Sequence, residues 1–136
     1  MDVLGIGRAE SDLYWTVNGV RLRRHLGSQI DEVEPMRSSW PWDTVVAYLD
    51  QLSAPRSGKF SFGHAELLVC GECGDLECGA ITVAVDFENT TVTWSDFRWQ
   101  QPNGWAEGVP ADPPITFTFD CDAYLQTIAA LREQMA

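Results

Sequence analysis

The stretch from Leu67 to Trp99 constrains this chain most. Two strand-like runs, Ala65–Val69 and Ala80–Phe87, are joined by a ten-residue turn that holds three of the four cysteines. The first run is short, apolar and partly β-branched. The second alternates apolar residues with small, polar or acidic ones. Gly71, Gly74 and Gly79 punctuate the turn and permit tight backbone bends. A third run, Thr91–Trp99, follows the turn signal Asn89-Thr90, so Ala80–Trp99 reads as a hairpin. Its apolar residues change parity: Val92 and Trp94 share one face, whereas Phe97 and Trp99 fall on the other. A β-bulge at Ser95-Asp96 would return all four to one face and re-aim Asp96 outward. Bulges border functional sites, which makes Asp96 a candidate site residue beside the cysteine turn.

Cys70, Cys73 and Cys78 have C-x2-C-x4-C spacing. Two thiolates two residues apart, followed by glycine, can face a single metal ion, and a third sulfur is within reach. A closed structural zinc site needs a fourth ligand. His64 is the leading candidate, Cys121 the next, and the carboxylates of Glu72, Asp75 and Glu77 are poorer ones. Two other readings stay open. Small glycine-flanked cysteines also pack as minor hydrophobes. A C-x-x-C pair can cycle between dithiol and disulfide, although its reactive cysteine usually opens a helix and the glycines interrupt one here.

Three blocks together carry a resemblance: L-L-V-C-G-E-C-G-D-L-E-C-G-A-I-T, then T-V-T-W-S-D-F, then I-T-F-T-F-D-C-D-A-Y-L-Q-T-I-A-A-L. The chain resembles a family of uncharacterised bacterial proteins. These have a C-x-x-C-G-D-x-x-C-G or C-x-C-G-x-x-x-C turn, a V-x-W-x-D-F strand and a closing F-x-F-D…Y helix. The resemblance spans residues 66 to 131. It implies a bacterial protein and supplies no activity, substrate or catalytic residue.

Elsewhere the pattern alternates between strand and helix. Leu13–Val17 and Val20–Leu26 flank Asn18-Gly19, the strongest short turn signal, which favours a type I′ hairpin. This register pairs Val17 with Val20, Trp15 with Leu22, Tyr14 with Arg23 and Asp12 with His25. Arg21, Arg23, Arg24 and His25 then form a basic strand face, either solvated or gripping an anion. Val3–Ile6 is a possible edge strand. Residues 38–53 read as a helix, with Pro41 in its first turn and Trp42, Val45, Val46, Leu49 and Leu52 as its buried stripe. Gln100–Pro114 reads as a long connection in which Trp105 is a candidate exposed contact. Ile115–Phe119 reads as a last strand. Asp120 then caps a helix over Cys121–Gln134 with Tyr124, Leu125, Ile128, Leu131 and Met135 on its apolar side.

The expected fold is a single α+β domain over residues 1–136: a mostly antiparallel sheet of five or six strands with two helices packed on it. No apolar run reaches membrane-span length and no secretory signal is visible, so a cytoplasmic protein is expected. The net charge is −11, and residues 69–136 hold eleven acids against two bases. Such a field repels phosphate backbones and disfavours nucleic acid. It attracts a basic surface. The expected function is therefore non-catalytic binding of another protein, of immunity or antitoxin type, with zinc in the cysteine turn. The alternative is a cysteine-dependent enzyme or redox protein built on the C-x-x-C turn. A third possibility is a small-molecule sensor using its six tryptophans.

Overall fold

The computed structural model describes residues 1–10, 12–27, 34, 36, 41–56, 63–69, 80–100 and 108–135. The cysteine turn (70–79), Trp40, Trp105, residues 57–62 and most of the loop from 28 to 39 lie outside the described residues.

The fold is α+β, as expected, but it has two antiparallel sheets instead of one. Strands β1 (Leu4–Ala9), β2 (Asp12–Val17) and β3 (Val20–Arg21) form the smaller sheet in that order. The larger sheet runs β4 (Ala65–Val69), β5 (Ala80–Glu88), β6 (Thr91–Gln100), β7 (Val109–Pro110). Strand β8 (Phe117–Asp120) pairs with the other half of β6, at Thr91–Trp94. Helices α1 (Leu22–Leu26), α2 (Trp42–Leu52) and α3 (Cys121–Met135) complete the order. Helix α2 packs on β4, and α3 packs on β1, β6 and β8.

The Asn18-Gly19 turn forms as read. Both residues have positive φ, 55° and 80°, as a type I′ turn requires, and Val17 pairs with Val20. The strand after it stops at Arg21, and the expected pairs of Trp15, Tyr14 and Asp12 with Leu22, Arg23 and His25 do not form. A continued strand would place Leu22, Arg24 and Leu26 on one face, burying a guanidinium. As a helix, Leu22 and Leu26 sit four apart on one side. Leu22 is buried and Arg24 is exposed. The basic strand face is therefore corrected: Arg23, Arg24 and His25 belong to α1.

In α2 the buried stripe is Val45, Tyr48, Leu49 and Leu52, whereas Trp42 is exposed. In α3 it is Tyr124, Ile128 and Leu131, with Leu125 exposed and Met135 partly buried. Asp120 caps α3 as read: its carboxylate accepts from the Ala123 amide at 3.0 Å.

Two tyrosine hydroxyls tie these layers together. Trp15 Nε1 of β2 donates to Tyr48 Oη of α2 at 2.7 Å, and Tyr48 Oη donates to the Leu67 carbonyl of β4 at 3.0 Å. Trp94 Nε1 of β6 donates to Tyr124 Oη of α3 at 3.1 Å, and that hydroxyl donates to the Leu52 carbonyl at 2.5 Å. Burial holds both phenols far above the ordinary range, and so in their neutral, donating form.

Candidate functional site

The hairpin carrying the predicted site contains the expected bulge. Thr82 faces Arg98 and Ala84 faces Ser95, so Val83 alone opposes Asp96 and Phe97. Asp96 takes φ 53°, a left-handed conformation that Asp tolerates better than most residues. The extra residue returns Phe97 to the core beside Trp94, and the Asp96 side chain is half-exposed. The bulge lies between the segments of β6 that pair with β8 and with β7.

The register gives the larger sheet two unlike faces. Val83 and Val85 of β5 share the core face with Val92, Trp94 and Phe97 of β6. The opposite face carries Thr82 and Asp86 of β5, Glu66 of β4, and Arg98 and Gln100 of β6. It is polar, yet Glu66, Thr82 and Gln100 are all buried. Thr82 Oγ1 donates to Gln100 Oε1. At its edge Arg56 makes a two-pronged contact with Asp86, at 2.7 and 3.0 Å, and that guanidinium holds the Asp86 carboxyl below the ordinary range.

His64 belongs to this polar face. It is fully buried, and its Nε2 lies 3.2 Å from Asp96 Oδ2. Nε2 does not meet the angular terms of a hydrogen bond, so the contact is one of charge proximity. Arg98 Nε donates to both oxygens of the same carboxylate at 3.0 Å. Asp96 thus sits between a histidine and an arginine, a pairing that the sequence did not reveal.

Of the proposed metal ligands, the described residues include His64 and Cys121. The cysteine turn leaves from Val69 and returns at Ala80, which pair with each other. His64 precedes β4 at the strand's other end, five residues or about 17 Å from Val69. Cys121 opens α3, half-buried, its amide donating to the Thr90 carbonyl at the hairpin's far tip. Cys70, Cys73 and Cys78 lie outside the described residues. Among the described residues, no group of three His, Cys, Asp or Glu side chains is placed to hold a metal ion.

Acidic side chains gather at that far tip. Glu88, at the end of β5, pairs with Thr91, and Thr91 pairs with Asp120 across β6. Asp122 follows in the first turn of α3. Glu88, Asp120 and Asp122 are all exposed. No Lys or Arg occurs in residues 86–97 or 117–131, which form this corner.

Two of the basic residues near β3, Arg21 and His25, make contacts within the fold. The Arg21 guanidinium lies 4.1 Å from the centre of the Tyr14 ring, a cation–π contact. His25 Nε2 is 2.9 Å from the Val17 carbonyl, so His25 is not the partner of Asp12 that the sequence suggested. Glu34, nearly buried, accepts from the Trp15 amide at 2.7 Å, and burial raises its carboxyl above the usual range.

A cleft of about 490 Å³ opens on the core side of the larger sheet, near β7. Its walls include Leu26, Ile81, Phe97, Trp99, Val109 and Ile115, with His25 and Asp112 as polar members. Four separate segments build it, so no single motif announces it.

Among the described residues, no helix is long and apolar enough to cross a membrane. No protein-family model, curated protein or solved structure matches the chain.

Proposed function

We propose that this chain is a non-catalytic binding domain that recognises a basic partner protein in the cytoplasm, as an immunity protein or antitoxin does when it neutralises a basic toxin. The observation that carries the reading is the corner formed by Glu88, Asp120 and Asp122. These three exposed carboxylates come from two strands and a helix, and no Lys or Arg occurs in the segments that hold them. Two other carboxylates of the acidic half are already paired, Asp86 with Arg56 and Asp96 with Arg98. Uncompensated charge at one corner steers an oppositely charged surface and sets its orientation. The same field works against nucleic acid.

Structural zinc in the cysteine turn belongs to the same proposal. Cys70, Cys73 and Cys78 supply three thiolates. His64 is the leading candidate for the fourth ligand, ahead of Cys121 and of the turn's own Glu72, Asp75 and Glu77. The metal would fix the loop that joins β4 to β5 and take no part in recognition.

Affinity capture from the native host tests the binding reading. A basic partner should be retained at about 0.05 M salt and released at about 0.5 M. It should also be lost from the Glu88→Lys/Asp122→Lys double variant, which spares the Asp120 cap. A partner that binds the double variant unchanged, or the recovery of no basic protein, would overturn the proposal.

A further inference from the structure

The cleft beside β7 is about 23 Å along β6 from the acidic corner, seven residues away. It is a separate site with its own chemistry. Its volume, about 490 Å³, lies within the range of small-ligand pockets and exceeds what one side chain would fill. Its walls are rings and branched chains. Phe97 is braced edge-on by Phe117, with centroids 6.0 Å apart, and Trp99, Ile81, Leu26 and Ile115 add flat or apolar surface.

Two polar groups on these walls, His25 and Asp112, offer acceptors, and a third, Arg98, is drawn onto Asp96 through Nε. The His25 ring approaches the Val17 carbonyl through Nε2. A carbonyl only accepts, so Nε2 carries the hydrogen, and in the neutral form of the ring Nδ1 is an acceptor. Nδ1 has no partner among the described residues. The Asp112 carboxylate is exposed on another wall, also without a partner among the described residues. The donors nearby are engaged: the Ala111 amide bonds the Phe97 carbonyl at 2.8 Å, and Arg98 Nε is held by Asp96.

We propose that this cleft binds a small, largely apolar ring compound carrying a protonated amine. The ring lies against Phe97 and Trp99, and the ammonium is shared between Asp112 and His25 Nδ1. An anionic ligand would meet a carboxylate and a lone pair in a protein of net charge −11. A neutral ring would leave both acceptors without a donor.

Calorimetric titration of the intact chain with tryptamine, 3-methylindole and indole-3-acetate tests the assignment. Tryptamine should bind saturably at one site per chain, and more tightly than either comparison compound. Asp112→Asn should weaken tryptamine by about two- to fivefold, as expected for an exposed charge pair, and leave 3-methylindole unchanged. Val109→Trp, at an exposed rim position, should reduce binding of tryptamine and 3-methylindole by more than about tenfold, while circular dichroism shows an unchanged fold. Equal or tighter binding of indole-3-acetate would overturn the proposal. So would binding indifferent to both substitutions, or no binding of tryptamine at about 1 mM, a Kd worth only about 4 kcal/mol. A basic tryptophan-containing peptide that binds where tryptamine does not would also overturn it, and would assign the cleft to a protein.

Discussion

Changing Tyr48 to phenylalanine removes one oxygen and leaves two buried groups without a partner. The hydroxyl accepts from Trp15 Nε1 at 2.7 Å and donates to the Leu67 carbonyl at 3.0 Å, and all three residues are fully buried. Leu67 is the extra residue where the β4–β5 register shifts, so its carbonyl depends on a side chain for a partner. Each stranded buried group costs about 1–3 kcal/mol. About 1 kcal/mol is regained because the phenol itself no longer has to be desolvated. The net loss is then about 1–5 kcal/mol. At roughly 3–4 °C per kcal/mol for a domain of this size, Tm should fall by about 3–20 °C. Urea unfolding followed by circular dichroism at neutral pH should show a lower midpoint with an unchanged slope. Tyr14→Phe is the control, because the Tyr14 ring packs under Arg21 while its hydroxyl has no partner among the described residues; its effect should stay within about 0.5 kcal/mol. If Tyr48→Phe costs no more than this control, the hydroxyl bridge does not join the two sheets and the argument for their coupling fails.

Gly7→Ala should destabilise by about 1–3 kcal/mol, because a Cβ there would lie 2.2 Å from the Tyr14 ring. In a Tyr14→Ala background the same change should cost almost nothing, and an equal cost in both backgrounds would refute the clash. Glu34→Gln keeps an acceptor for the Trp15 amide and removes a buried charge. Burial raises the folded-state value of Glu34, so the folded form holds its proton more tightly than the unfolded chain does. Stability from this group is therefore lost as pH rises from the ordinary glutamate value, about 4.3, through the raised folded value. Denaturation at several pH values should find the variant equal to the parent below that window and more stable above it. The opposite ordering would refute the assignment. Metal analysis of protein purified without added metal should find about one zinc per chain, and chelation should lower Tm. Absence of zinc, with three titrating thiols besides Cys121, would remove the metal site.

The features legible in the sequence are those set by local chemistry. Asn18-Gly19 specifies a turn because both positions need positive φ, and Asp120 specifies a cap because its carboxylate reaches the amide three residues on. The bulge at Asp96 was legible from a change in parity alone, since Trp94 and Phe97 can share a core only if one residue is looped out. The end of β3 was legible in principle. Leu22 and Leu26 are four apart with two arginines between them, a helical spacing, but the strength of the Asn-Gly signal favoured a long hairpin. The split into two sheets was not legible. It depends on which strands share hydrogen bonds, and alternation along one strand does not encode its neighbours.

The candidate site illustrates a deeper limit. Polar residues alternating along a strand ordinarily mark the face turned to water, and by that rule Glu66, Thr82 and Gln100 should be wet. They are buried all the same, and Thr82 and Gln100 satisfy each other by a hydrogen bond across β5 and β6. His64 likewise looks, in sequence, like a ligand for the cysteines six residues away. The cysteines lie outside the described residues, and His64 stands just before β4, where a single inserted residue in β6 brings Asp96 to its ring. An extended strand converts few residues into a long separation. The cleft shows the converse: His25, Phe97 and Asp112 are far apart in sequence and converge on one cavity because β7 pairs with the end of β6. A site in this fold is therefore defined by where β6 bends and what pairs with each half of it. One half meets β8 at the acidic corner and the other meets β7 at the cleft. Removing the bulge by deleting Asp96 should disturb the cleft by turning Phe97 out of the core, while the pairing of Thr91–Trp94 with β8 keeps the acidic corner in place.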